Sequence, residues 1–464
     1  VNSKDVERET LKAGLKGAAN WIAEHELWLL AVPVILMLFY GRVPLRIISA
    51  SLLLIPIPWM CRLLAKGDLT VHTSMDLPIL ALFGMALVAL YPSVDPSMSM
   101  PVLYKMIVEF ALFYGLVNNL TTGKRIWVIT SLLFAGGVGA SLLGLVNTSW
   151  ITHKLFSMPQ IYGRLPRLLT QLNRAGFHPN IVGGMLGMIL PVALSVLLFS
   201  AKATGSRTQV GGTDAKQQPH LSMGMAAHSA LGISHRAWRG LLVLTLLIMG
   251  STLFLTQSRG TFVGLLFAFA VMALWRGGSL RLVVLLIAIG IILAIHFLGL
   301  EQIADFVFVA DSVGTMRGRM ELWQRAIYMM QDFPYTGIGL GTFSRVAPIL
   351  YPFFLIGPDT LVPHSHNLFL QTGVDLGIPG LVALIALLTA FSFIAVKAVR
   401  MSKGTAFEPL AVGLLCGFVV YPIHGLLDNV TFSTKPGMAI WAIMGLLVAL
   451  CHQHHSPEQP PSTD

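Results

Sequence analysis

The chain has 464 residues, of which 55% are hydrophobic and only 11% charged, with a net charge of +10. Soluble domains carry about 25% charged residues, so this chain lacks the polar surface a soluble globule needs, and its positive charge is no sign of nucleic-acid binding. Runs such as Leu242–Met249 are apolar without alternation, which excludes a membrane β-barrel and leaves an all-α polytopic membrane protein.

The first segment, 1–25, is charged and places Leu11, Leu15, Ala18 and Ile22 at helical spacing. It reads as an amphipathic helix on the cytoplasmic membrane surface, not as a cleavable signal peptide. About 20 residues cross a bilayer, and twelve apolar segments approach that length, near 26–41, 45–64, 77–92, 101–119, 125–147, 179–200, 239–256, 260–275, 281–299, 377–397, 408–426 and 436–452. The segments at 77–92 and 260–275 are short. Cys61, Cys416 and Cys451 fall in or at the end of apolar runs without metal-ligand spacing, and read as small core residues. His296, inside the ninth segment, reads as a satisfied bundle residue.

With the N-terminus inside, most Lys and Arg fall on the inner side, including Arg62, Lys66, Lys124 and Arg125, as the topology rule asks. Both termini are then cytoplasmic. The basic residues left outside are mostly Arg, gathered in two long loops and one tight turn. An anionic ligand on that side would account for them.

Three loops stand out. Residues 201–238 are inside and rich in Gly, Ser, Gln and His; they read as a flexible connection. Residues 148–178 are outside and carry Arg164, Arg167 and Arg174. Residues 300–376 form a large outer loop, and loops of that length are uncommon unless functional. Within it Leu322, Trp323, Ala326, Ile327 and Met330 predict the apolar face of a helix over 319–330. The tail at 453–464 reads as solvated.

Three stretches carry candidate chemistry. Thr256-Gln257-Ser258-Arg259-Gly260-Thr261 joins the seventh and eighth segments. So tight a turn leaves Arg259 at the membrane interface, where it either snorkels or meets a ligand. In Gly314-Thr315-Met316-Arg317-Gly318-Arg319, two cations begin the loop helix and oppose its dipole. Arg325 has a local partner in Glu321 four residues earlier and is assigned to structure. Arg319 is kept for the site and Arg317 is left open. Gly337, Gly339 and Gly341 suggest a tight turn more than a phosphate cradle, since no strand precedes them.

The third stretch, Pro363-His364-Ser365-His366-Asn367, closes the outer loop. Asn367 is a good N-cap and Leu368–Asp375 can form two helical turns. His366 then sits at a helix N-terminus, which disfavours imidazolium; a neutral imidazole can act as general base. The plain alternative is a capping pair. His364, two residues away, is either a supporting group or a surface residue. Asp428, after the eleventh segment, can orient a site residue or bind a sugar, although a polar turn is the simpler reading. His178 is a candidate to line the same outer cavity, and His424 to face it.

Together these residues resemble the bacterial O-antigen ligases, of the O-antigen ligase/polymerase superfamily. The matching pattern is His366-Asn367, nine residues, Gly377, two residues and Gly380, with the Ser258-Arg259-Gly260 turn and Gly318-Arg319…Trp323. Asn173-Arg174-Ala175-Gly176-Phe177-His178-Pro179-Asn180 fits the segment entering a mid-chain span. The resemblance implies an inverting glycosyltransferase of the bacterial inner membrane, with its site on the periplasmic side, acting in lipopolysaccharide biosynthesis. The donor would be a glycan on undecaprenyl pyrophosphate and the acceptor a sugar hydroxyl of lipid A–core. His366 would be the base, and Arg259 and Arg319, with Arg317, would bind the pyrophosphate. Asn367, Asp428, His364, Arg174, His178 and Asn180 would support the substrates. No two aspartates are separated by one residue, so the expectation is transfer without a metal or cofactor. Kindred alternatives are a polymerase or a protein oligosaccharyltransferase. The alternative of another class is a flippase or transporter, for which Lys105 and Glu109 offer one intramembrane pair.

Overall fold

The computed structural model describes residues 3–148, 150, 158–165, 177–205, 227–299, 315–357, 360–429 and 436–453. Among them the regular secondary structure is all helix, save two isolated bridges at Tyr40–Val43 and Thr148–Phe177. The described helices of eight residues or more are α1 (Ser3–Glu24), α2 (Glu26–Leu38), α3 (Leu45–Lys66), α4 (Asp76–Val88), α5 (Pro96–Asn119), α6 (Gly123–Asn147), α7 (Pro179–Gly205), α8 (His235–Thr256), α9 (Arg259–Arg276), α10 (Ser279–Leu298), α11 (Met316–Asp332), α12 (Phe343–Leu350), α13 (Leu368–Met401), α14 (Glu408–Gly425) and α15 (Gly437–Gln453).

Each of the twelve apolar segments is therefore helical. Nine of the described helices are long and apolar enough to span, and α1 with α2 adds a tenth bent by 44°. α4 and α15 are shorter than an ideal span. The apolar run at 77–92 outlasts its helix because the chain turns after Val88. On α1 the packed residues are Ala19 and Ala23, while Leu11 and Leu15 are 65% and 63% exposed. An interfacial helix leaves such an apolar face for lipid.

The centre of the bundle is α14, which packs on α7 and α9. Lipid offers helices no hydrophobic drive to associate, so close backbone approach matters. A Cβ on Gly413 would lie 2.7 Å from Val192 Cα. At the N-terminal end of α7, a Cβ on Gly183 would lie 2.7 Å from Ser258 Cβ, so this glycine lets the Ser258-Arg259 turn close on the helix that begins at Pro179. α10 contains no buried residue. His296 is accordingly exposed and is not the bundle residue the sequence suggested: α10 packs on α9 without burying any of its own residues. Lys105 Nζ lies 4.6 Å from the Tyr40 ring centroid, a cation–π contact.

The loop helix begins at Met316, where Thr315 accepts from the Gly318 N–H as N-cap. It packs on α13, which breaks at Gly377 (φ 71°, ψ 179°). A Cβ there would lie 2.7 Å from the Tyr335 carbonyl carbon, and one on Gly337 would meet Asp375 backbone at 2.5 Å. The Ile338 N–H donates to Val374 O at 2.9 Å and the Ile378 N–H to Pro334 O at 2.7 Å. The glycine-rich stretch is thus a tight turn locked into the helix break. Glu321 accepts the N–H groups of Phe354, Leu355 and Ile356 at 2.6, 2.9 and 3.0 Å and pairs with Arg325 at 3.7 Å, the structural role expected for that arginine.

Candidate active site

The site forms where the start of α13, the end of α14, the start of α7, the α8–α9 turn and the start of α11 meet. Asn367 caps α13 through its side chain, accepting from Phe369 and Leu370 N–H at 3.0 Å each, and its amide donates to Leu426 O at 3.0 Å. That bond ties the α13 cap to the turn after α14. His366, just before the cap, has φ 52°, a left-handed conformation uncommon outside glycine. Its N–H donates to His364 Nδ1 at 3.2 Å. Strained backbone of this kind costs about 1–3 kcal/mol and clusters at functional sites.

Asp428 is the hub. One carboxylate oxygen lies 2.9 Å from His366 Nδ1 and accepts the Asn429 N–H at 2.9 Å. The other accepts from Asn180 Nδ2 at 2.6 Å. His364 Nδ1 stands 4.0 Å from the first oxygen, and the two imidazole rings are 4.3 Å apart. Burial alone would raise the Asp428 pKa, but His366, His364 and Arg319 outweigh it and hold the carboxyl well below its ordinary range. Burial and the neighbouring His366 hold His364 down to about 3, against the pull of Asp428.

The cations arrive from two sides. An Arg319 guanidinium N–H donates to Leu427 O, next to Asp428. Arg259 opens α9, and its neighbour Gly260 closes on the same turn: a Cβ there would lie 3.4 Å from Leu427 Cβ and 2.5 Å from His424 Cδ2. His424 is buried, and its carbonyl accepts the Leu427 and Asp428 N–H groups at 2.9 Å each, so it shapes the turn that carries Asp428. Tyr162 donates to Leu255 O at 2.9 Å, which holds residues 158–165 beside the α8–α9 turn. His178 is exposed and accepts from Asn180 N–H at 3.3 Å.

Of the residues singled out in the sequence, the structure gathers His364, His366, Asn367, Asp428, Asn180 and Arg319 around one turn, with Arg259 beginning the helix packed on it. Arg317 is exposed; two residues from Arg319, it points to another side of α11. Arg174 lies outside the described residues. Sequence reasoning gave Asp428 as most simply a polar turn, and the structure makes it the centre of the group. Its only sequence signal was an acid in an outer connection between apolar helices. His364, His366 and Asp428 present ligand atoms within 4.8 Å of one another and are the described group able to hold a metal ion.

Residues 244–385 match the family described as O-antigen ligase, which supports membership of that superfamily. The matched stretch includes Arg259, Arg317, Arg319, His364, His366 and Asn367, whereas Asn180 and Asp428 lie outside it. No curated protein matches the chain.

Proposed function

We propose that this member of the O-antigen ligase superfamily is an inverting glycosyltransferase that moves a glycan from undecaprenyl pyrophosphate to a sugar hydroxyl of lipid A–core. The observation that carries this reading is the 2.9 Å contact between His366 Nδ1 and Asp428, beside the arginine docked on Leu427. An ionised carboxylate only accepts hydrogen bonds, so His366 Nδ1 carries the proton and Nε2 is left as base. Asn180, on the other carboxylate oxygen, keeps Asp428 from swinging away.

In the proposed reaction, His366 Nε2 takes the acceptor hydroxyl proton as that oxygen bonds to the anomeric carbon. The bond from that carbon to the pyrophosphate oxygen breaks, and its electron pair leaves with undecaprenyl pyrophosphate. In-line attack inverts the centre. Charge growing on the leaving group is met by Arg259 and Arg319, whose forked N–H groups suit phosphate oxygens; Arg317 at the rim attracts the anion. His364 stays neutral and supports the His366 backbone. His178 and Arg174 are kept as groups that support the substrates. We place the site on the periplasmic face of the inner membrane, with the termini cytoplasmic, because the Lys and Arg of the inner connections lie at the other ends of the spans.

The test is reconstitution of the purified protein with lipid-linked glycan and lipid A–core, with products resolved by gel. Capped core supports the ligase. Lengthened lipid-linked glycan supports a polymerase of the same superfamily, and transfer to a protein acceptor an oligosaccharyltransferase. Movement of the donor across the bilayer without transfer supports a flippase.

A further inference from the structure

At the end of the bundle opposite the site lies a cavity of about 590 Å³ lined by Arg62, Lys66 and Lys124 and by Asn118, Thr121 and Phe407, among others. Its position follows from two helices. α5 starts beside the outer loop, where Ser99 donates to Leu340 O at 2.7 Å, and ends at Asn119 against the cavity; its 24 residues cover about 36 Å at 1.5 Å each. α14 runs from the cavity wall at Phe407 to the turn bearing Asp428.

Among the described residues no carboxylate lines this cavity. The neighbouring carboxylates are already engaged: Glu26, whose charge also acts on Arg62, accepts from Trp59 Nε1 at 2.7 Å, Asn118 Nδ2 at 3.1 Å and Asn119 Nδ2 at 2.9 Å, and Glu408 accepts from Trp275 Nε1 at 3.1 Å and the Gly404 N–H at 2.7 Å. Three cations converging on one cavity repel one another, and Arg62 Nε is buried without a hydrogen-bond partner among the described residues. The first turn of α6 begins in the wall at Gly123, and Thr121 adds a hydroxyl. Val71, Val117, Leu120 and Phe407 make the remainder apolar. The cavity sits where α3 and α5 end and α6 and α14 begin, which is headgroup depth.

We propose that this cavity is a phosphate-binding site, remote from the transfer site, whose ligand is the phosphate of an anionic membrane phospholipid or free phosphate. The cations supply charge and a guanidinium fork. The apolar wall suits the glycerol and first methylenes of a lipid. Basic pockets between spans on the cytoplasmic side bind anionic headgroups in this manner.

The experiment uses the full chain in nanodiscs of phosphatidylethanolamine alone, the same lipid with phosphatidylglycerol, or the same lipid with added inorganic phosphate. The reading is the melting temperature and, by native mass spectrometry, the retained lipid. Phosphatidylglycerol should raise the melting temperature and remain bound, with apparent affinity falling roughly fivefold for each cation removed in Lys66→Gln and Lys124→Gln. Both lysines are exposed, so the variants should melt as the wild type does in phosphatidylethanolamine alone. An equal rise with inorganic phosphate, lost in the same variants, supports free phosphate as the ligand. The proposal is overturned if neither addition has an effect, or if Lys397→Gln/Lys403→Gln, whose lysines lie outside the cavity, weakens binding as much.

Discussion

The carboxylate of Asp428 holds the imidazole of His366 at 2.9 Å across 62 residues of sequence. The bond links the α13 cap to the turn after α14 and, in the proposed reaction, a base to the group that fixes the base's tautomer. Asp428→Asn keeps the shape and loses the fixed acceptor. Transfer should fall about 10²–10⁴-fold, in turnover more than in substrate affinity. His366→Ala should fall as far, and the double variant little further, because the two act as a unit. Additive losses in single-turnover rates would separate the residues and sink the dyad.

The arginines can be ranked. Arg319→Lys and Arg259→Lys keep a charge but lose the fork, and each should cost about 10²-fold in turnover. Exposed Arg317→Ala should cost far less and act through donor affinity. Near-normal turnover in Arg259→Lys would reduce that residue to an interface anchor.

Proton uptake gives a stability test. His364 has a pKa of about 3 in the folded chain against 6.5 ordinarily, so between those values the unfolded chain binds a proton that the folded chain refuses. Stability should therefore rise with pH from about 3 to 6.5. Asp428, held below its ordinary 3.8, adds a further loss of stability as pH falls past that value. The melting temperature of the wild type should drop between pH 6.5 and pH 4, and that of His364→Gln should drop less. Equal slopes would contradict the assignment.

The donors of His364, His366 and Asp428 lie within 4.8 Å, so metal independence deserves a direct assay. Chelation should leave the transfer rate unchanged. If chelation abolished transfer and one divalent cation restored it, the same three side chains would have to be reread as a metal centre.

Glu321 tests the loop rather than the chemistry. Its carboxylate receives three backbone N–H bonds at 2.6–3.0 Å, and bonds to a buried charge are worth about 1.5–3 kcal/mol each at most. Glu321→Gln should speed proteolytic cleavage near 353–356 and lower the melting temperature, while substrate affinity at saturating occupancy of the remaining folded protein stays close to normal. Unchanged cleavage would show that α11 is held by its apolar face alone.

What the sequence revealed follows from the range of each interaction. Spans were legible because hydropathy is a local sum, although the run at 77–92 continues beyond its helix. Asn367 as N-cap and the Glu321–Arg325 pair were legible because both are settled within four residues. The partnership of His366 with Asp428 and Asn180 is long-range, and nothing near Asp428 separates a hub from a polar turn. Gly183, whose missing side chain admits the Ser258 turn, looks in sequence like any small residue in an apolar run. His296 was misread because hydropathy does not tell a helix inside a bundle from one that buries none of its residues.

The interruption of α13 at Gly377 has a mechanical result. Leu368–Leu376 is fastened to the Pro334–Ile338 turn, and so travels with the extramembrane lobe, while the rest of the helix follows the hydrocarbon slab. If the donor is lipid-linked as proposed, a bilayer of altered thickness would shift its tail against a ring and a guanidinium that keep their own height, and turnover would then gauge hydrophobic mismatch.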